Sequence, residues 1–291
     1  MEKVKGMISV VIPSFNRKKE LPACLESVLG QTYGNIEVIE ADDGSADGTE
    51  ELFAGITDQR VKYLRYTPNR GACFARNYGA ERSAGEYIAF QDSDDIWRPD
   101  KLEKQMEFMR ETGADFVFCG MNRVSAGGKR YYYPVHDFVN GADPVGQLLL
   151  ENRAGTQTML MRREVWEDTR FDESFRRYQD WDFAMRAAKS HSTAYQKLAL
   201  VDSEVSAGSI SASVSSVPAL QKLYEKHKDE FSGRPDCLAA YYRRLGNRFR
   251  LSEPREAAAC YKKCIELEGR ARDRVRYLSC VLRGAVPVKR P

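Results

Sequence analysis

Four apolar, β-branched runs occupy the first third of this chain, and segments of helical spacing separate them. They are Ile8–Pro13, Ile36–Ala41, Val61–Arg65 and Tyr87–Phe90. Short runs of this kind bounded by turn residues read as buried strands. Strands that alternate with helices of about ten residues build a parallel sheet covered on both faces. Leu21, Leu25, Val28 and Leu29 mark the first helix, with Pro22 tolerable in its first turn. Asp47 and Glu50 stand at capping-box spacing before the second. The small residues of Ala72–Ser83 suit a third helix packed closely on the sheet. The pattern predicts an α/β chain with a doubly wound, mostly parallel sheet.

In such sheets ligands bind beyond the carboxyl ends of the strands. Three loops fall at those ends: Pro13-Ser14-Phe15-Asn16, Asp42-Asp43-Gly44-Ser45 and Asp92-Ser93-Asp94-Asp95. The last places three carboxylates directly after a buried strand, where like charges repel one another. A hard, oxygen-preferring divalent cation would neutralise them and bring a polyphosphate with it; a solvated acidic turn is the plainer alternative. Other positions also carry two readings. Phe15 suits a ligand pocket or the core, and Asp42 suits a ligand or loop amides. Asn77 suits a cap or a loop clamp, and Arg76 a ligand contact or a structural ion pair. Asp47 reads as a helix cap.

Past Asp95 the pattern gives a helix over Lys101–Glu111 and a buried strand at Phe116–Cys119. A hairpin turn at Ala126–Lys129 returns through Arg130–Pro134. A short helix follows at Val145–Glu151, then a strand at Thr158–Met161 and a helical turn at Arg163–Asp168. Arg177–Arg186 reads as a helix with an acidic first turn, and Ala194–Val205 as extended chain. Residues 203–216, rich in Ser, Gly and Ala, read as loop and linker. The expected division is a domain over residues 1–212, a linker over 213–217 and an all-helical segment over 218–291. In that segment Tyr242, Leu245, Gly246, Phe249, Ala257, Tyr261 and Cys264 resemble one tetratricopeptide-like helix pair, which cannot bury a core alone.

Charge divides along the same line. From Pro218 onward there are 18 Lys/Arg against 9 Asp/Glu, a net of +9, while the preceding residues carry 27 against 33, a net of −6. The basic tail suggests either contact with anionic membrane lipid or a solvated helix pair shielding the domain. Seven cysteines form no CxxC pair and read as buried thiols of a reducing compartment. No apolar run approaches the roughly 20 residues of a membrane span, and no secretory leader is read at the start. The expected location is cytoplasmic, with peripheral contact at the inner face of the cell membrane. No nucleic-acid partner is expected.

Six motifs in this order resemble the family 2 glycosyltransferases. They are Ser9–Arg17, Asp42–Ser45, Ala75–Ala80, Gly85–Phe90, Asp92–Asp95 and Gln179-Asp180-Trp181-Asp182-Phe183. The resemblance covers roughly residues 7 to 212 and implies an inverting enzyme of the GT-A fold. The donor it implies is a nucleotide-diphospho-sugar, most often a uridine one, and the acceptor a glycan or lipid-linked hydroxyl. Pro13 and Phe15 would line the base pocket, and Asp43 would accept the base's ring N–H. Asp92 would face the ribose, with Ser93 beside it, and Arg70 and Arg76 would touch base, ribose or phosphate. Asp94 would bind Mn²⁺ or Mg²⁺ through the diphosphate, with Asp95 supporting it. Asp180 stands where the family places its catalytic base, and Trp181 beside it suits an acceptor platform or plain packing. Asp182 competes for the role of base, but on a helix it points about 200° away.

Two departures accompany the resemblance. The Glu204–Ser211 segment carries neither the Arg nor the His common before the family's Ser-Ile-Ser stretch, and Gln179 replaces a common Glu. Two rival classes are a sugar nucleotidyltransferase and a non-catalytic protein that binds partners through its helical tail. The first strand is not followed by the Gly-rich, basic triphosphate loop that a nucleotidyltransferase would show.

Overall fold

The computed structural model describes residues 3–124, 128–204 and 215–285. Strands β1 (Val4–Ser14), β2 (Ile36–Asp42), β3 (Val61–Arg65) and β4 (Gly85–Phe90) lie parallel in the order β3-β2-β1-β4. Their side chains alternate between two covered faces. Ile8, Val10 and Ile12 join a core with Leu21, Cys24, Leu25 and Val28 of α1 (Leu21–Leu29) and with Phe53 of α2 (Thr49–Ala54). On the other face α3 (Ala72–Glu81) comes so close that a Cβ on Gly79 would stand 2.6 Å from Val11 Cγ1. The small-residue helix therefore packs on the sheet as its composition predicts.

The next elements are β5 (Asp95–Trp97), α4 (Lys101–Thr112), β6 (Phe116–Val124) and β7 (Arg130–Tyr133). After α5 (Pro144–Leu150) and a 3-10 turn, Thr156–Thr158, come β8 (Met159–Arg162), α6 (Arg163–Thr169), α7 (Gln179–Ser190) and β9 (Thr193–Glu204). The full sheet runs β3-β2-β1-β4-β8-β6-β9-β5, with β7 paired to β6. Strand β8 is antiparallel to both β4 and β6, and β5 is antiparallel to β9. The expected parallel sheet is thus the first half of a mixed one. The three-residue β5, which carries Asp95, has no counterpart in the sequence reading.

Contacts gather the chain into two units, residues 1–144 with 152–212, and 145–151 with 213–291. Helix α5 therefore groups with the C-terminal helices, whereas the sequence suggests a single division near 212. The second unit also holds α8 (Ser216–His227), α9 (Pro235–Phe249), α10 (Pro254–Leu267) and α11 (Ala271–Ala285). Arg244 donates to the Leu150 carbonyl, and Cys237 Sγ lies 3.5 Å from that of Gly146. Gly246 of α9 lets Tyr261 of α10 approach: a Cβ there would meet its ring at 3.1 Å. All seven cysteines are buried and free. Among the described residues no helix is long and apolar enough to cross a membrane. Residues 126–127 of the expected hairpin turn, residues 205–211 of the Glu204–Ser211 segment, and residues 213–214 of the expected linker lie outside the described residues.

Candidate active site

Register brings the strand-end loops together. Ser14 of β1 pairs with Asp42 of β2, and the Asp43 amide donates to the Ser14 carbonyl at 2.9 Å. Asn16, in a left-handed conformation at φ 53°, bridges the first two loops. Its amide donates to Ser45 Oγ, and its Oδ1 accepts the Ala46 amide, both at 2.8 Å. A strained residue that a local network holds in place is common at binding sites. Pro13 is buried beneath this edge. Phe15 stands 47 % exposed, outside the core. That exposure removes the core reading.

The loop after β2 is closed on itself. Buried Asp42 accepts the Ser45 amide at 2.8 Å and the Tyr63 hydroxyl at 2.5 Å, with Arg65 at 3.6 Å. That is the amide-accepting role rather than a ligand contact. Asp43 receives the amides of Arg70 and Gly71 at 2.6 and 2.7 Å. Gly71 does this at φ 93°, which favours glycine. The half-exposed Arg70 guanidinium lies 3.3 Å from the Phe74 ring centroid and 3.5 Å from Glu173. Asp47 accepts from Thr49 and from the Lys18 amide, but Gly48 and not Asp47 is the cap residue of α2, so the expected capping box with Glu50 is not formed. Two residues before Asp42, Glu40 is fully buried and hydrogen-bonded by Ser14 Oγ. Burial, with Asp42 nearby, pushes its carboxyl up to about 8.

The loop after β4 is different. Asp92 pairs with buried Arg76 at 2.6 Å, and Asp94 has Arg17 at 3.6 Å. Arg76 Nε and Nη1 are buried without a hydrogen-bond partner. Ser93 is buried between the acids. Asp95 is turned inward, where Ser203 of β9 hydrogen-bonds its carboxyl. Burial and then Asp92 raise the Asp94 carboxyl above its ordinary range. Burial, Asp92 and Asp94 hold Asp95 well above it. Even the buried Cys24 thiol on α1, 3.6 Å from the Asp92 carbonyl, is pushed up by burial and by all three acids. The mutual repulsion that the sequence implies is therefore present and only partly neutralised.

Asp180 opens α7. It follows Tyr178, another left-handed non-glycine residue, at φ 62°. Its carboxylate accepts the Asn152 side-chain amide at 2.8 Å and the Trp181 backbone amide at 2.9 Å. These bonds and Arg76 favour the charged form, yet burial outweighs them and, with the Asp92 charge, raises the Asp180 carboxyl from its ordinary value. Asp92, Arg76 and Asp180 thus sense one another across the strand ends. Asp182 is fully buried and paired to Arg186 at 2.7 Å, which removes it as the competing base. Of the two readings of Trp181, burial favours packing: the ring is 4 % exposed and packs edge-on against Tyr178. Asn77 is a loop clamp. Its Nδ2 donates to the Phe171 carbonyl at 2.8 Å, and its Oδ1 accepts the Phe171 amide at 3.0 Å, fixing the segment that leads to Asp180.

The sequence reading omitted Asn152 and the pairing roles of Arg17 and Ser203. Nothing local marks Asn152, which lies 28 residues before the carboxylate it holds. Arg17 was visible as the last residue of the first loop motif.

The donor set was tested against a divalent cation. Among the described residues no three His, Cys, Asp or Glu side chains form a ready-made cage. Asp94 is partly exposed, with the Arg17 guanidinium at 3.6 Å. A hard ion that keeps its waters and shares substrate phosphates needs only one or two protein carboxylates. The residues present fit such an ion.

A parallel half-sheet that delivers acidic loops to one edge, extended by mixed strands, is the arrangement of GT-A nucleotide-sugar transferases. S. aureus TarS 1-349 in complex with UDP-GlcNAc matches at a TM-score of 0.64 and 18 % identity, over 96 % of this chain and 92 % of that one. The model of glycosyl transferase family 2 matches residues 9–175, and the chain belongs to that family. TuaG of Bacillus subtilis, named for teichuronic acid biosynthesis, is 35 % identical over 164 residues, covering 55 % of this chain and 64 % of TuaG. WfgD of Escherichia coli is named as a UDP-Glc:α-D-GlcNAc-diphosphoundecaprenol β-1,3-glucosyltransferase. It is 38 % identical over 112 residues, covering 38 % of this chain and 44 % of WfgD. The chain thus spans less than two thirds of these relatives' length.

Proposed function

We propose that the chain transfers a sugar, with inversion, from a nucleotide-diphospho-sugar, a UDP-sugar first of all, to a hydroxyl of a glycan or lipid-linked acceptor. The observation that carries this reading is the cluster of Asp180, Asp92 and Arg76, whose charges act on one another at the strand ends. Phe15 stacks on the base, Pro13 walls the pocket, and Asp43 accepts the ring N–H while its loop amides hold it still. Asp92 and Arg76 engage the ribose and phosphate, with Ser93 beneath them, and Arg70 closes the pocket's rim. The unsatisfied Arg76 N–H groups are a reason to expect an anionic ligand there. The names of TuaG and WfgD support the glycan and lipid-linked acceptor classes, and the TarS complex supports a uridine donor.

Displacing a diphosphate from an anomeric carbon builds negative charge on the leaving oxygen. Asp94 would hold Mn²⁺ or Mg²⁺, which supplies the neutralising charge, with Asp95 buttressing the loop from below. Asp180 takes the proton of the attacking hydroxyl. Its raised proton affinity moves it toward the range in which a base works efficiently near neutral pH. Asn152 keeps its carboxylate oriented.

Two measurements test this. Calorimetry with UDP, with and without Mn²⁺, is expected to show metal-enhanced binding; metal-independent binding or none contradicts the donor scheme. Asp180→Asn is expected to lower kcat by about 10³-fold or more while donor affinity is kept. Full activity in that variant removes the assignment of the base. Incubation with sugar-1-phosphate and a nucleoside triphosphate separates the nucleotidyltransferase alternative.

A further inference from the structure

The last described helix, α11, has one face committed and one face bare. On the committed side Tyr277 and Cys280 pack against Ala257, Ala258 and Tyr261. Asp273, the helix's sole carboxylate, is buried and held by Arg243 through contacts of 3.0 and 2.8 Å. On the opposite side Val275 is 68 % and Leu282 71 % exposed, and Leu278 and Val281 are exposed with them. At 100° per residue Val275, Leu278 and Leu282 share an arc of about 60°. Arg274 flanks one edge of this stripe, and Arg272 and Arg283 the other, about 40–80° beyond it. All three arginines are exposed. Every solvent-facing charge on the helix is therefore positive, and the sequence continues with Lys289 and Arg290.

We infer that this arginine-flanked apolar stripe of α11 docks on an anionic lipid surface. The apolar side chains suit the boundary between headgroups and acyl chains, and the flanking guanidiniums suit phosphate headgroups. A second copy fits less well. Self-pairing through this stripe would set Arg272, Arg274 and Arg283 of one protomer against the same arginines of its partner. Anionic headgroups cover the stripe and neutralise its flanks together. The inference names the surface of a segment beyond residues 9–175, the part matched by the family, and does not depend on the roles given to Asp94 or Asp180.

The test is co-sedimentation of the full chain with phosphatidylglycerol–phosphatidylcholine vesicles, with pure phosphatidylcholine as control. Salt-sensitive binding to the anionic vesicles alone is expected. Leu278→Ser combined with Leu282→Ser is expected to lower partition at least about tenfold. Replacing Arg272, Arg274 or Arg283 with Gln is expected to lower it about fivefold each. These side chains are exposed, so circular dichroism and transfer to a soluble acceptor are expected to stay at wild-type values. The inference is overturned if the wild-type chain ignores anionic vesicles or if both sets of variants bind as wild type does. A concentration-dependent dimer that the leucine variant abolishes, seen by light scattering, overturns it in favour of self-association.

Discussion

Two loops leave the same sheet edge carrying adjacent aspartates, Asp42-Asp43 after β2 and Asp94-Asp95 after β4. The protein treats them in opposite ways. Around the first pair it supplies three backbone amides, a tyrosine hydroxyl and an arginine, so these carboxylates serve as rigid fixtures. Around the second it supplies Arg17 at 3.6 Å, one serine and the charge of Arg123, and the acids still raise one another's proton affinity. Charge that the fold satisfies for itself stiffens a pocket; charge left partly unsatisfied is available to a ligand. Consecutive acids at a strand end therefore do not identify a metal site until their partners are known.

The sharpest way to break this contrast is Asp94→Asn. It is expected to lower metal-dependent UDP affinity or kcat/KM by about 10²-fold while leaving the melting temperature equal or slightly higher, because a repelled charge is removed. A marked loss of stability would place Asp94 with the fixtures instead. Asp42→Ala is expected to do the reverse, lowering stability by roughly 3 kcal/mol through the polar partners it leaves unpaired. Denaturant titration checks it, and wild-type stability would dissolve the distinction.

Glu40 sharpens the comparison from within β2. Its folded-state carboxyl, at about 8, lies above the ordinary 4.5, so the folded chain holds this proton more tightly than the unfolded one. The stability it contributes is complete below about pH 4.5 and is lost as pH rises through about 8. Glu40→Gln is thus expected to match wild type near pH 4 and to exceed it by on the order of 2–4 kcal/mol at pH 9. Parallel melting curves at the two pH values would refute the buried-acid account. The smallest effect is expected at Asp180. Asn152→Ala removes a donor that favours the Asp180 carboxylate, so the acidic limb of kcat/KM should move up by roughly one pH unit. An unmoved limb would reduce Asn152 to a bystander.

The first half of the fold was legible because each parallel strand is a compact apolar run, and because a missing side chain such as that of Gly79 announces close packing. The second half was less so. Strand β8 runs antiparallel, and residue pattern carries no sign of direction. Strand β5 spans three residues, too few for any period, although it holds Asp95. At the site, sequence order placed the acids but not their partners. Each acid has an arginine at 3.6 Å, Arg65 or Arg17, so the difference between Asp42 and Asp94 lies in the Tyr63 hydroxyl and the Ser45 amide. Trp181 carried two readings because a tryptophan beside a carboxylate looks the same in sequence whether it faces a cleft or the core.

The excursion of the chain into α5 has a further consequence. Residues 145–151 belong with helices that begin more than sixty positions later, and the chain then returns to Asn152, which holds Asp180. A chain stopped at residue 212 would keep Leu148 and Leu149 but lose the helices with which α5 is grouped. The C-terminal helices are thus not a detachable cassette. A recombination event that exchanged them at a single junction would leave a foreign helix embedded two residues upstream of Asn152, the residue that holds Asp180. Their inheritance is tied to that of the catalytic half.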